Sequence, residues 1–166
     1  IKSIVPKNVE FIIWPNNPQT KKTISREDLN LSDEQPNCYV HFSGYKKLTP
    51  REIEIFSGRC LNIHPAPPEY PGIGGINWAI YNGDKDFGLT LHVMNQKIDQ
   101  GKIIDVIRFR LTPNINVTQA VNILFEQRSK LLLETIENLN KNINFEQFIQ
   151  LQCLRNFSWG NKFFFR

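Results

Sequence analysis

Cys60-Leu61-Asn62-Ile63-His64-Pro65 is a short apolar run that carries two polar side chains at i and i+2 and is stopped by proline. Its residue types predict a strand over 59–63. Strand side chains alternate between faces, so Asn62 and His64 project from the same one. The stiff sequence Pro65-Ala66-Pro67-Pro68 follows, so the polar pair stands at a strand end against a constrained loop. In open α/β sheets, sites form beyond the carboxyl ends of strands, which is where this pair is delivered. Further along, Lys97-Ile98-Asp99-Gln100-Gly101 sets a carboxylate in a turn just before another apolar strand. An amide donor, an imidazole and a carboxylate suit acyl-type transfer.

Working outward from that strand, residues 9–14 read as another, ended by the turn sequence Pro15-Asn16-Asn17-Pro18. Residues 19–36 are polar and suit a surface loop, and 39–42 form a further strand. Thr49-Pro50 then opens a helix, with Thr49 as N-cap, Pro50 at the first helical position and Glu52 completing a capping box. Ser57-Gly58 stops it. On the other side, Pro71-Gly72-Ile73-Gly74-Gly75 frees the backbone before a short helix over 76–81, ended at Asn82-Gly83. Strands are expected over 87–94 and 103–111, and the short joint between them favours antiparallel pairing. Residues 117–139 form the longest helix, with Val121, Leu124, Phe125, Leu131, Leu132 and Ile136 on or near one face. A short helix over 145–153 leads to an aromatic, basic tail. The alternation predicts an α/β fold: a Rossmann-like, mainly parallel sheet flanked by helices, with an antiparallel pair near residues 87–111.

Composition narrows the function without choosing it. The 166 residues suit one domain over 1–166, and 40% hydrophobic with 22% charged residues describe an ordinary folded chain. Twenty Lys and Arg against sixteen Asp and Glu give a net +4, compatible with an anionic substrate and equally with a solvated surface. That excess is too small for a dedicated nucleic-acid binder. Cys38, Cys60 and Cys153 have neither zinc-site nor disulfide-framework spacing, so buried reduced thiols and a cytoplasmic location are expected. No apolar run approaches the ~18 residues of a spanning helix. The start at Ile1 rather than Met suggests a piece of a longer chain.

Of three histidines, His41 and His92 lie inside apolar strands and read as hydrogen-bonded structural residues. Spacing alone leaves His64 open between a structural and a catalytic role. No metal-ligand set, G-x-S-x-G, G-x-G-x-x-G or P-loop is present. The tail from Trp159 to Arg166 suits base stacking or, more simply, tucking back onto the core.

Five motifs follow one another in register: Asn62-Ile63-His64-Pro65, Pro68-Glu69-Tyr70-Pro71-Gly72, Asn82-Gly83-Asp84, Gly88-Leu89-Thr90-Leu91-His92 and Ile98-Asp99-Gln100-Gly101. Together they resemble the catalytic domain of the 10-formyltetrahydrofolate-dependent formyltransferases, most firmly over 39–107. The resemblance implies Asn62, His64 and Asp99 as catalytic residues, with no metal. Asn62 and His64 would donate to a developing oxyanion, and Asp99 would tune His64. It also implies 10-formyltetrahydrofolate as formyl donor, its pterin held near Tyr45, Lys46, Lys47 and Leu48 and near Asn95, Gln96 and Lys97. Pro68 would carry a cis bond. The Pro-Pro-Glu-Tyr-Pro-Gly run and the tail look most like the small sugar N-formyltransferases, which implies a nucleotide-linked amino sugar as acceptor. Glycinamide ribonucleotide, methionyl-tRNA, water (a hydrolase) and a non-catalytic fragment are the alternatives. The resemblance further implies that part of the N-terminal sheet and any C-terminal barrel are missing. Membrane and nucleic-acid partners are not expected, and the oligomeric state stays open.

Overall fold

The structure is a computed structural model that describes residues 38–42, 47–141, 144–152 and 157–161. The strand expected over 9–14, the loop over 19–36 and the positions Tyr45 and Lys46 lie outside the described residues. In chain order the elements are β1 (Tyr39–His41), α1 (Pro50–Ile55), β2 (Cys60–His64), α2 (Gly75–Asn82), β3 (Asp86–Val93), β4 (Ile103–Arg110), α3 (Val117–Leu139) and α4 (Phe145–Gln152). One sheet in the order β1-β2-β3-β4 carries them.

β1 runs parallel to β2, while β2–β3 and β3–β4 are antiparallel. The Rossmann-like α/β class and the antiparallel pair are as expected. Among the described residues, however, parallel pairing is confined to β1–β2. The reason is local. After His64 the chain turns back over the sheet, so α2 returns it to the end where β2 stopped, and His64 lies opposite Thr90. No crossover to the far end takes place.

Side-chain chemistry explains the helix ends. Thr49 accepts from the Glu52 amide at 3.3 Å, and the Glu52 carboxylate accepts from the Thr49 amide at 2.7 Å. This is the reciprocal capping expected of that sequence. Asn116 and Gln119 build the same box at the start of α3. No described peptide bond is cis, which corrects the expectation for Pro68. An X–Pro bond prefers trans unless the surroundings repay the difference of about 0.5–1 kcal/mol. The loop is fastened to β3 by the Thr90 hydroxyl, which donates to the Ala66 carbonyl at 2.8 Å.

The core lies between the sheet and α3, where Leu61, Ile63, Phe87, Leu89 and Ile104 meet Leu124, Leu131, Leu132 and Ile136. Val121 and Phe125, expected on that face, are 43% and 53% exposed. The heptad-like spacing admits both residues, but the buried stripe runs through Ala120, Leu124 and Leu131 instead. A second cluster of Leu48, Phe56 and Cys60, with Met94 against it, closes the opposite end of β2. Among the described residues no helix is long and apolar enough to cross a membrane. Leu131→Ala should lower stability by about 2–5 kcal/mol, as a cavity in a closed core requires. Val121→Ala should stay within about 0.5 kcal/mol. Urea denaturation of both variants measures the contrast.

Candidate active site

Three backbone segments bring the polar cluster together. β2 supplies Asn62 and His64 from one face, and β3 places His92 directly opposite Asn62. The turn between β3 and β4 folds back over this face with Asp99. Its left-handed backbone (φ 45°) is a conformation that Asp tolerates better than most residues. Two residues later Gly101 passes so close to the Val93 carbonyl that no Cβ fits, which lets the turn press against β3.

The hydrogen bonds define the chemistry. His64 Nε2 lies 2.9 Å from the Tyr70 carbonyl, an acceptor only, so that nitrogen carries the hydrogen. His64 Nδ1 then faces Asp99 Oδ2 at 3.4 Å, and the same oxygen accepts from the Gly72 amide at 2.9 Å. His92 Nδ1 donates to the Val93 carbonyl at 2.9 Å. This leaves His92 Nε2 to accept from the Asn62 amide nitrogen at 3.0 Å, with Asp99 Oδ1 3.6 Å away. His92 therefore sets which end of the Asn62 amide carries its donors toward the cluster. His64 is 3% and Asp99 8% exposed, whereas Asn62 is half-buried and forms the open edge.

Burial pulls the His64 pKa below its ordinary value, outweighing the upward pull of Asp99 and of the Tyr70 carbonyl. Burial pushes Asp99 upward, but the pull of His92 and His64 whenever those imidazoles carry a proton, together with the Gly72 amide, holds it below the usual carboxylate value. The resting pair is thus a neutral imidazole beside an ionised carboxylate. Among the described residues no group of three or more His, Cys, Asp or Glu is placed to hold a metal ion.

The structure brings Asn62, His64 and Asp99 together, as the motifs implied, and adds residues that sequence reasoning missed. His92 is hydrogen-bonded as expected, yet it touches two of the three. The Tyr70 carbonyl and the Gly72 amide hold the others, and the loop between them is anchored by the Tyr70 hydroxyl, which donates to Asp84 at 2.5 Å. The signal for His92 was its place in a motif strand, but only pairing register sets it opposite Asn62. The described start of the tail tucks back: Trp159 Nε1 donates to the Gly101 carbonyl at 2.7 Å, and residues 162–166 lie outside the described residues. Of the expected pterin positions, Lys47 is exposed, while Leu48 is buried with Phe56 and Cys60 and offers a ligand only its backbone. Asn95, Gln96 and Lys97 form an exposed turn beside Asp99. The Asn95 side chain is spent within that turn, on the Lys97 amide and the Gln100 carbonyl.

Comparisons with known proteins bear on the family and the fold. A family model described as formyl transferase matches residues 3–136, and the chain belongs to that family. The methionyl-tRNA formyltransferase of Buchnera aphidicola is 33% identical over 138 residues, covering 82% of this chain and 42% of that protein. The chain thus spans less than half the length of this curated relative. Among solved structures, phosphoribosylglycinamide formyltransferase from Bacillus halodurans superposes with a TM-score of 0.57 at 27% identity, covering 64% of this chain and 56% of that one. An N-formyltransferase from Helicobacter canadensis, solved with folinic acid and dTDP-3-aminofucose, shares the fold. Its TM-score is 0.56 at 22% identity, over 74% of this chain and 43% of that one.

A group held neutral by the fold gives stability a definite pH dependence. The unfolded chain protonates His64 near its ordinary value of 6.5, whereas the folded chain does so only at lower pH. Between those values the unfolded state binds more protons, so stability should fall as pH drops below about 6.5. Depressed Asp99 adds a further loss at lower pH still, as its folded value is crossed. His64→Gln should flatten the first of these slopes in denaturation curves taken from pH 7.5 to 5.

Proposed function

We propose that this chain transfers a formyl group from 10-formyltetrahydrofolate to an amine, with Asn62, His64 and Asp99 as its catalytic residues. The observation that carries the reading is the convergence of these three side chains in one mostly buried cluster, in a chain of the formyl transferase family. The bound folate would supply a formyl group activated on nitrogen, and the exposed turn 95–97 with the backbone at Lys47 and Leu48 would hold it. The donor set fits such a ligand. The Asn62 amide has two hydrogens, His92 takes one, and among the described residues no partner takes the other. That hydrogen can serve a carbonyl oxygen gaining negative charge in the transition state.

His64 does the proton work. Its one N–H is bound to the Tyr70 carbonyl, so in this geometry it is not the second oxyanion donor expected from the sequence. Its bare Nδ1 is instead a proton acceptor for the attacking amine, directly or through water. Asp99 would stabilise the resulting imidazolium, and that proton would go on to the folate nitrogen as its bond to the formyl carbon breaks. Asn62→Ala should lower kcat by about 10²–10³, the usual cost of one aimed donor. His64→Ala should lower it by about 10²–10⁴. Thermal shift with a stable formyl folate should show binding nearly intact in both variants. Wild-type-like turnover in His64→Ala would remove the assignment.

For the acceptor, we propose a nucleotide-linked amino sugar, the reading favoured by the Pro67-Pro68-Glu69-Tyr70-Pro71-Gly72 run and compatible with the mild positive charge. The 33% identity to a methionyl-tRNA formyltransferase favours a second reading, methionyl-tRNA. Parallel assays with a nucleotide-linked 4-amino sugar, glycinamide ribonucleotide and methionyl-tRNA separate them. The sugar should be formylied fastest under matched donor concentration. Preference for either other amine overturns the acceptor but not the catalytic residues. Donor turnover indifferent to every amine would mark a hydrolase.

A further inference from the structure

Trp159 stands where none of the catalytic motifs lead. Its ring lies 5.8 Å from that of His64 and 5.0 Å from that of His92, at interplanar angles of 68° and 88°. An indole so placed meets both imidazoles edge-on, an arrangement that aromatic quadrupoles favour. Its Nε1 donates to the Gly101 carbonyl, two residues after Asp99 in the same turn. The next residue, Gly160, donates its amide to the Pro68 carbonyl at 2.8 Å, two residues before the Tyr70 carbonyl that binds His64. A Cβ at Gly160 would come within 2.9 Å of the Glu69 carbonyl oxygen, so this close approach needs glycine. One short segment thus bonds to both loops that hold the two nitrogens of His64, and its largest side chain covers the ring between them.

We propose that Trp159 is a positioning residue that clamps the Asp99 turn to the Tyr70 loop, fixes the His64 and His92 rings, and closes one side of the His64–Asp99 pair to water. The reaction it serves rests on the formyl-transfer reading, but its effect on His64 does not. Two consequences are separable. The indole surface keeps water off the imidazole, and the Nε1 hydrogen bond holds the turn that carries Asp99. The charged and titratable groups acting on His64 are Asp99 from the turn, His92 from β3 and Arg128 from α3. Trp159 is uncharged and changes none of them directly. A shift in His64 titration on replacing it therefore reports solvent access and ring placement.

The test is a pH series of His64 ring nuclear magnetic resonance signals, assigned with His64→Gln, in the wild type and in Trp159→Ala, Trp159→Leu and Trp159→Phe. In Trp159→Ala the His64 midpoint should rise toward 6.5, and its ring nitrogens should lose the single Nε2–H tautomer. Trp159→Phe keeps a ring against the imidazoles and should stay near the wild-type midpoint. In activity assays kcat for Trp159→Ala should fall by about tenfold to a hundredfold, with the acid limb of the pH profile moving with the resonance midpoint. A folded Trp159→Ala whose His64 midpoint and tautomer match the wild type overturns the proposal. If that variant does not fold, Trp159→Leu, which fills the space without a ring, decides in the same way. The midpoint shift in a chain that transfers no formyl group leaves the positioning role standing and removes the reaction proposed for it.

Discussion

A carboxylate held almost entirely out of water beside two imidazoles has to be met by donors, and the arrangement around Asp99 follows from that need. One oxygen takes the Gly72 amide and faces His64 Nδ1, and the other lies near His92. An isolated buried carboxylate would take up a proton instead. Here the Gly72 amide donates to it directly, and either imidazole adds its attraction once protonated, so the pKa stays low although burial alone would raise it. Those partners come from the loop after β2, from the end of β2 and from β3. Satisfying this one charge therefore requires the sheet register, the proline-rich loop and the left-handed turn to be right at once.

Its neighbour is held in the opposite state. Neutral His64 beside ionised Asp99 is a poised pair, because a proton placed on the imidazole gains the Asp99 charge as a partner. The ring cannot rotate freely while its Nε2 hydrogen is committed to the Tyr70 carbonyl and the Tyr70 hydroxyl is committed to Asp84. A chain of bonds thus runs from the turn between α2 and β3 through the Tyr70 loop to the reactive imidazole. Such networks cost most when a single member is left unpaired.

The long helix sets the other wall. Arg128, half-buried on α3, donates to the Phe42 and Ile63 carbonyls and lies over the Phe42 ring at 5.0 Å. Burial lowers its pKa to about 10, which still leaves it charged at neutral pH. It ties the carboxyl ends of the two parallel strands to α3, and it adds positive potential near His64, one of the influences that disfavour a charged imidazole. A helix that reads as a core-packing element thereby also contributes to the electrostatics of the site.

The sequence by itself determined the features that depend on neighbours along the chain. The capping box at Thr49 and Glu52, the glycine stop after α1, the alternation that puts Asn62 and His64 on one face, and the length of α3 are all local, and each is legible because a few residues settle its energy. The motif order was enough to bring Asp99 into the trio. Only the tertiary structure decided what depends on register and on burial. The pairing of Asn62 with His92, the antiparallel return of β3, the exposure of Val121 and Phe125, and the seating of Trp159 against two imidazoles are contacts between residues far apart in sequence. Periodicity says which face a side chain takes, but not what it will meet there. The protonation state of His64 belongs to the same class, since the burial that sets it exists only once the strands, both loops and Trp159 have come together.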